Sequence, residues 1–163
     1  RPSPRLGVCG ASPVAIAVAD LGRRMGYRIV AAALADDLPA YDADDRKIAG
    51  FDLSTIGIEP GDDVVVATQG KRDREALAAA LSTEAGYVAF VGSRRTDDTL
   101  RGQIATQGMA ADRIARLKAP AGLDIHGIEP EEIALSILAE IVARRRAAVK
   151  DAAEPVQPAR SLA

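Results

Sequence analysis

The sequence predicts an α/β fold of three layers, in which helices cover both faces of a parallel sheet. Short apolar runs alternate with longer segments of helical periodicity, the pattern of repeated strand–helix–strand units. The run Asp63 to Thr68 is almost continuously apolar, as in strands that are buried on both faces. A chain of 163 residues that is 48% hydrophobic can bury one core and is short for two domains. We therefore expect a single domain over residues 1–150.

The first third of the chain contains one complete unit of this pattern. The apolar run from Leu6 to Gly10 predicts the first strand. A helix is expected from Ser12 to Gly26, because serine is a favoured N-cap and Pro13 fits the first helical position. The run from Tyr27 to Leu34 predicts the second strand, and the Asp-Asp-Leu-Pro sequence after it ends that strand.

The middle of the chain continues with two further strands. The segment from Ala40 to Asp63 predicts a loop with a short helix near Leu53 to Ile58. The third strand is the run from Asp63 to Thr68, and a helix is expected from Arg72 to Ser82. The fourth strand is expected from Tyr87 to Gly92, before the remaining helices begin.

The last third of the chain is predicted to be helical. Two helices are expected over Arg95 to Gly108 and Ala110 to Leu117, and the last over Pro130 to Val149. Isoleucines at positions 133, 137 and 141 recur at four-residue spacing and predict a face packed on the sheet. Residues 151–163 show no periodicity and contain two prolines, which predicts a disordered C-terminal tail.

Composition excludes several functional classes. The formal net charge is -2, and no basic run is interleaved with aromatic residues, so nucleic-acid binding is not expected. No apolar run approaches the length of a membrane span, and the N-terminal residues lack the apolar core of a signal peptide. A single cysteine excludes an intrachain disulfide, and no Cys/His cluster has zinc-site spacing. We expect a cytoplasmic protein.

The turn after the first strand is where a dinucleotide-binding fold carries its G-x-G-x-x-G/A fingerprint. Gly10, Ser12 and Ala15 occupy those positions, so a Cβ stands where the pyrophosphate would approach the backbone. A helix N-terminus still favours an anion. Two interpretations stay open: Ser12 is a cap alone, or Gly10, Ala11 and Ser12 also form an anion site.

A second mark of dinucleotide binding, an acidic residue at the end of the second strand, is displaced. Such a carboxylate binds the ribose hydroxyls. Ala33 stands at the position counted from Gly10, and Asp36 and Asp37 follow three and four residues later. They could serve only if the strand ends late. This displacement argues against a working NAD dehydrogenase.

Gly92, Ser93, Arg94 and Arg95 follow the fourth strand directly, at the sheet edge where open α/β sheets bind ligands. Two guanidinium groups there suit a phosphate or carboxylate. Arginine at a helix start also opposes the helix dipole, which favours a ligand role. The alternative is that Arg94 and Arg95 pair with Asp97 and Asp98 in a solvated first turn.

The loop before the last helix offers a further candidate wall of the site. Asp124 stands between two large apolar residues, which predicts a partly buried, hydrogen-bonded carboxylate. Two interpretations remain: it accepts backbone amides and pins the loop, or it lines a pocket with Gly122, opposite the arginines. Glu131 and Glu132 lie in the first helical turn, where the dipole favours them structurally.

Two strings, YVAFVGSRR at residues 87–95 and KAPAGLDIHGIEPEEIALSILAEI at residues 118–141, carry a family resemblance. They resemble the C-terminal Rossmann domain of the xanthine dehydrogenase accessory factor family (XdhC/CoxI), and the similarity extends roughly from Leu6 to Arg146. Members of that family often carry a further N-terminal domain. The resemblance therefore implies either a separate chain that supplies it or a fragment of a longer protein.

The resemblance implies a Rossmann fold and a maturation factor, or chaperone, for molybdenum hydroxylases such as xanthine or CO dehydrogenase. Such a protein binds molybdenum cofactor (molybdopterin) transiently and helps to insert it into the apo-enzyme, without turnover of its own. A homodimer is the base expectation for its assembly. The alternatives are an NAD(P)-binding oxidoreductase and a nucleotide-sensing domain. The expected cofactor-binding residues are Gly10, Ala11, Ser12, Gly92, Ser93, Arg94, Arg95, Gly122 and Asp124.

Two single residues have weaker claims on function. Cys9 ends the first strand beside the glycine turn, and a cysteine there is expected to be a small buried hydrophobe. The alternative is a thiolate that contacts molybdenum, because a helix N-terminus can lower a thiol pKa. His126 stands where the family usually has a small residue, which argues against an acid/base role.

Overall fold

The computed structural model describes residues 3–153, which form a six-stranded parallel sheet. In chain order, the strands are β1 Arg5–Cys9, β2 Arg28–Ala33, β3 Arg46–Ala49, β4 Asp63–Val66, β5 Tyr87–Phe90 and β6 Leu117–Lys118. Their spatial order is β3-β2-β1-β4-β5-β6. The sheet therefore grows in one direction from β1 to β3 and in the other from β4 to β6. Between β1 and β4 the connections diverge, which opens a crevice at the carboxyl ends of these strands.

Helices cover both faces of this sheet, as the sequence predicts. They are α1 Pro13–Arg24, α2 Asp73–Leu81, α3 Arg94–Thr106, α4 Ala111–Ile114 and α5 Pro130–Ala153, with short 3-10 helices at Ala35–Ala40 and Ser54–Ile56. Helices α1 and α5 share one apolar layer, in which Ile137, Leu138 and Ile141 are fully buried. Helices α2, α3 and α4 pack against the opposite face. The predicted α/β class and its parallel sheet are confirmed.

The sequence misses two strands, both on the edges of the sheet. β3 is RKIA, a partly exposed strand whose first two residues are charged, so it lacks a clear apolar signal. β6 has only two residues. Pairing with β2 and β5 stabilises these strands, and such pairing is invisible in local periodicity.

The C-terminal helix is longer than predicted. It continues to Ala153, into the first residues of the predicted tail. The rest of that tail, 154–163, lies outside the described residues. Among the helices of residues 3–153, none combines the length and the apolar character that a membrane span requires.

Candidate functional site

A crevice of about 220 Å³ lies at the carboxyl ends of β1 and β4. Three loops form its walls, one after each of β1, β2 and β4. Open parallel sheets bind their ligands at such a point, where the strand order reverses. The lining residues are Gly10, Ala11, Ser12, Pro13, Ala33, Leu34, Asp37, Phe51, Thr68, Gln69 and Lys71.

Gly10 allows the loops after β1 and β4 to approach each other closely. Its φ angle is +103°, a conformation that favours glycine, and a Cβ would lie 2.5 Å from the carbonyl oxygen of Ala67. The Gly10 amide donates to the carbonyl of Ala32 at 2.8 Å, and its own carbonyl accepts the Tyr41 hydroxyl at 2.5 Å. The first glycine of the turn is therefore required by contacts within the protein.

Ser12 caps α1 and also joins the two sides of the crevice. Its hydroxyl accepts the amide of Ala15 at 3.1 Å and donates to the carbonyl of Ala67 at 2.7 Å. Within the described part of the chain, the amides of Ala11, Ser12 and Val14 donate no hydrogen bond. The predicted cap is confirmed, and three donors remain at the positive end of the helix for an anion.

The loop after β4 has an unusual backbone. Gln69 and Arg72 have φ angles of +51° and +60°, which residues other than glycine rarely adopt. Asp73 holds this loop, because its carboxylate accepts the Thr68 hydroxyl and, at 2.9 Å, the amide of Gly70. Strained residues of this kind concentrate at functional sites. No sequence pattern predicts a ligand at this loop, because Lys71 in the string QGKR lacks the glycine spacing of a P-loop.

The displaced acidic residue reaches the crevice by an unexpected route. β2 ends at Ala33, and the 3-10 helix that follows carries Asp37 back to the crevice wall. The Lys71 ammonium lies 3.5 Å from the Asp37 carboxylate, and both side chains are partly solvated. Asp37, and not Asp36, therefore occupies the acidic position next to the glycine turn. A late strand end is not needed for this placement.

The arginine pair at the start of α3 is exposed. Ser93 is the N-cap and accepts the amide of Thr96 at 3.1 Å. Neither guanidinium of Arg94 and Arg95 makes a hydrogen bond or ion pair within residues 3–153. The predicted alternative, in which Arg94 and Arg95 pair with Asp97 and Asp98, is therefore not observed within these residues.

Asp97, the nearer of those aspartates, has a different partner. It is buried and binds Arg101 at 2.9 Å, and the same guanidinium also donates to the carbonyls of Ile114 and Leu117. This network joins α3 to the chain that enters β6. Arg94 and Arg95 are thereby left to solvent or to a ligand.

The nine expected cofactor-binding residues fall into separate places. Gly10, Ala11 and Ser12 line the crevice, whereas the segment from Gly92 to Arg95 follows β5, two strands away from β1 along the same sheet edge. The backbone amide of Ala121 donates to the carbonyl of Phe90 at 3.1 Å, which sets the loop after β6 beside this segment. The turn from Gly10 to Ser12 and the segment from Gly92 to Arg95 thus lie along one edge of the sheet but in separate places.

Asp124 does not form a wall of the site, which corrects the prediction that it is partly buried. Its side chain is 85% exposed and lies 3.4 Å from the equally exposed His126. The flanking residues Leu123 and Ile125 are also exposed. The loop turns outward after Leu123, whose amide donates to the carbonyl of Ser136 on α5, so the apolar neighbours cannot bury the carboxylate.

Gly122 is buried against α5. Its φ angle is +91°, and a Cβ there would overlap the Ser136 hydroxyl. The requirement for glycine therefore comes from packing against the helix. The same residue donates its amide to Glu140 at 3.1 Å.

Glu140 is the residue that pins this loop, the role that one interpretation assigned to Asp124. Its carboxylate accepts the Tyr87 hydroxyl, the Gly122 amide and, at 2.9 Å, the Lys118 ammonium. Burial opposes its ionisation, but these three donors outweigh burial and hold the pKa of Glu140 below its ordinary value. No local pattern marked this residue, because a glutamate in an amphipathic helix is normally solvated.

Cys9 is fully buried beneath the crevice, and burial raises the pKa of its thiol to about 12. The expectation of a small buried hydrophobe is confirmed, and the molybdenum-contacting thiolate is not supported. We expect the native chain at pH 8 to resist a thiol reagent such as DTNB and the urea-unfolded chain to react at once. Rapid stoichiometric labelling of the native chain would contradict this placement.

Comparison with known proteins gives one family match, to a model described as the XdhC Rossmann domain, over residues 6–141. An uncharacterised Escherichia coli protein, YqeB, is 33% identical over 146 residues, which cover 85% of this chain and 27% of that protein. A Bacillus subtilis protein, named as a probable xanthine dehydrogenase subunit, is 32% identical over 161 residues, which cover 91% of this chain and 46% of that protein.

A solved structure shows the same architecture. The crystal structure described as a xanthine dehydrogenase from Bacillus halodurans aligns with a TM-score of 0.71 at 27% identity and covers 94% of this chain. The alignment covers 46% of that structure. The chain therefore spans less than half the length of each of these relatives.

Proposed function

The chain belongs to the XdhC Rossmann-domain family, and from this premise we propose that it serves in the maturation of a molybdenum hydroxylase. In this proposal the domain binds molybdenum cofactor and aids its insertion into the apo-enzyme. The hydroxylase is of the xanthine dehydrogenase type, in keeping with the names of two relatives. The observation that carries the ligand proposal is a set of donors along the carboxyl edge of the sheet that have no partner within residues 3–153.

These donors fit the phosphate that terminates the pterin of molybdenum cofactor. The amides of Ala11, Ser12 and Val14 lie at the start of α1 and make no hydrogen bond within the described residues. Helix N-termini bind phosphate through such amides and the helix dipole. Arg94 and Arg95 add two positive charges at the same edge, and arginine binds oxyanions through paired hydrogen bonds.

Two contacts argue against hydride transfer with a nicotinamide dinucleotide. The Ser12 hydroxyl donates a hydrogen bond to the carbonyl of Ala67. Ser12 also occupies the position of the second glycine in the fingerprint, so a Cβ stands there. A pyrophosphate would have to approach the backbone there. Asp37, in the place of the ribose-binding carboxylate, lies beside Lys71. We therefore assign the domain to holding a cofactor for a partner enzyme.

An arginine variant tests the ligand site. We expect Arg94→Ala combined with Arg95→Ala to lower the retention of molybdopterin by roughly a hundredfold or more, since two charge-assisted hydrogen bonds are lost and each contributes about 1.5–3 kcal/mol. Mass spectrometry of gently purified protein, co-expressed with cofactor synthesis, measures the retained ligand. Both side chains are solvent-exposed, so the melting temperature should change little.

The matched control removes two positive charges at the opposite edge of the sheet. Arg24→Ala with Arg46→Ala changes two exposed arginines, one at the end of α1 and one at the start of β3. This control should retain the cofactor. If both double variants retain the cofactor equally, Arg94 and Arg95 are not part of the ligand site.

A second assay distinguishes a maturation factor from an NAD(P)-binding oxidoreductase or a nucleotide-sensing domain. Activation of a co-expressed xanthine dehydrogenase should depend on the domain and should fall in the Arg94/Arg95 variant. Calorimetry with NAD(H) should give no binding in the micromolar range. Micromolar NAD(H) affinity without any effect on hydroxylase activation would instead favour the oxidoreductase or nucleotide-sensing function.

A further inference from the structure

The outer face of α5 carries apolar side chains that nothing in the described structure covers. Leu135 is 55% exposed and Val149 is 48% exposed, and Met25 at the end of α1 is 45% exposed. Single exposed apolar residues are ordinary. These three, however, lie along one surface, the outer side of the α1 and α5 pair, together with the partly buried Leu21 and Val142.

Two cavities mark this surface as a groove. One of about 440 Å³ has Ala17 and Leu21 of α1 on one side and Ala134 and Leu135 of α5 on the other. The second, of about 300 Å³, includes Met25, Val142 and Val149. The groove therefore runs along most of α5, and charged side chains, among them Arg24, Glu131 and Arg146, border its apolar residues.

The α5 residues at the two ends of the groove have opposite charge, and Arg24 of α1 lines the same end as Glu131. Glu131 and Arg146 are both exposed, and neither makes a hydrogen bond or ion pair within residues 3–153. Four residues of α5 are separated by four, seven and four positions: Glu131, Leu135, Val142 and Arg146. These spacings place all four residues on one helical face. The pattern is acidic, apolar, apolar and basic, with the same spacing in either direction.

Such a pattern is complementary to itself in the antiparallel sense. A two-fold axis near the middle of α5 would place Glu131 against the partner's Arg146 and Leu135 against the partner's Val142. Interfaces with two-fold symmetry use the same patch on both subunits, so each such contact occurs twice. Two ion pairs would then flank an apolar centre, which is the usual arrangement of an interface.

We propose that this face binds a second copy of the chain, with the two α5 helices antiparallel. The dimer buries the outer α1 and α5 surface and leaves the carboxyl edge of the sheet, with its candidate ligand site, open in both protomers. The proposal does not rest on the cofactor that the domain binds. It predicts which residues control assembly and which pairs of variants compensate each other.

Charge reversal provides the test. Glu131→Arg and Arg146→Glu should each raise the dissociation constant of the dimer by at least about tenfold, because each places like charges together twice. Light scattering coupled to size exclusion measures the mass across a concentration series. Mixing the two variants should restore a dimer, since an arginine at 131 then faces a glutamate at 146 and the native pair remains at the other end.

Two further variants complete the experiment. Asp98→Arg reverses an exposed charge on α3, in the opposite layer, and should leave the mass unchanged. Leu135→Asp should give a monomer that mixing does not rescue. A wild-type chain that remains monomeric at all concentrations, or single reversals that remain dimeric, would overturn the proposal.

Discussion

Replacing Glu140 with alanine should destabilise the domain by about 3 kcal/mol, because the buried carboxylate has three donors inside the protein. The carboxylate accepts hydrogen bonds from Tyr87 and Gly122, both of which are buried, and an ion pair from Lys118. Truncation would leave the hydroxyl and the amide without a partner inside the protein. Urea unfolding, followed by circular dichroism, measures this loss.

Glu132 supplies the matched control on the same helix. Its carboxylate also accepts backbone amides, those of Ile128 and Glu129 at 2.9 Å, but the side chain is exposed. Water can replace those bonds, so Glu132→Ala should cost only about 1 kcal/mol, in the range of a lost helix cap. Equal costs for the two variants would show that the Glu140 network does not stabilise the loop.

The pH dependence of this effect has a definite sign. The pKa of Glu140 is lowered in the folded state, so its contribution to stability is present above the ordinary glutamate pKa and is lost as pH falls through the folded pKa. The stability difference between the wild type and Glu140→Gln should therefore be greatest near neutral pH and shrink in acid. A difference that grows as pH falls would contradict the lowered pKa.

Gly10→Ala is expected to cost about 3 kcal/mol or more, because it combines backbone strain with a collision. The φ angle of +103° is unfavourable for alanine, and the new Cβ would lie 2.5 Å from the carbonyl oxygen of Ala67. The loops after β1 and β4 would have to separate, which also opens the candidate ligand crevice. Thermal unfolding measures the loss of stability.

Gly26→Ala isolates the strain from the collision. Gly26 has a similar φ angle of +93°, and no atom lies within 4 Å of a Cβ built there. This variant should lose only the strain contribution, of order 1–2 kcal/mol. If both alanine variants lose the same stability, the collision of a Cβ at position 10 with the loop after β4 makes no contribution, which would contradict this prediction.

Much of the fold followed from local patterns. The four central strands and the major helices are long enough, and apolar enough, for their periodicity to predict them. Ser12 was predicted as the cap of α1 because its local sequence alone decides that role. The edge strands β3 and β6 were missed because they form only through pairing with a neighbour.

The candidate site was predictable only in part, since its residues meet through topology. The glycine turn and the arginine pair were found because each directly follows a strand. Asp37 and the loop at Gln69 were missed as crevice residues because a 3-10 helix and a left-handed backbone place them there. The prediction for Asp124 was wrong, since apolar neighbours in sequence do not bury a side chain when the loop turns away from the core.

The sequence by itself determined the α/β class, the family and the positions of the glycine turn and the arginine pair. These properties depend on residue order and on short-range preferences, which a single chain displays directly. Only the tertiary structure decided that Ser12 joins α1 to the loop after β4, that Glu140 holds the loop after β6, and that Arg94 and Arg95 lack partners within the described residues. Each of these outcomes depends on residues that are distant in sequence, and folding alone brings them within bonding distance or keeps them apart.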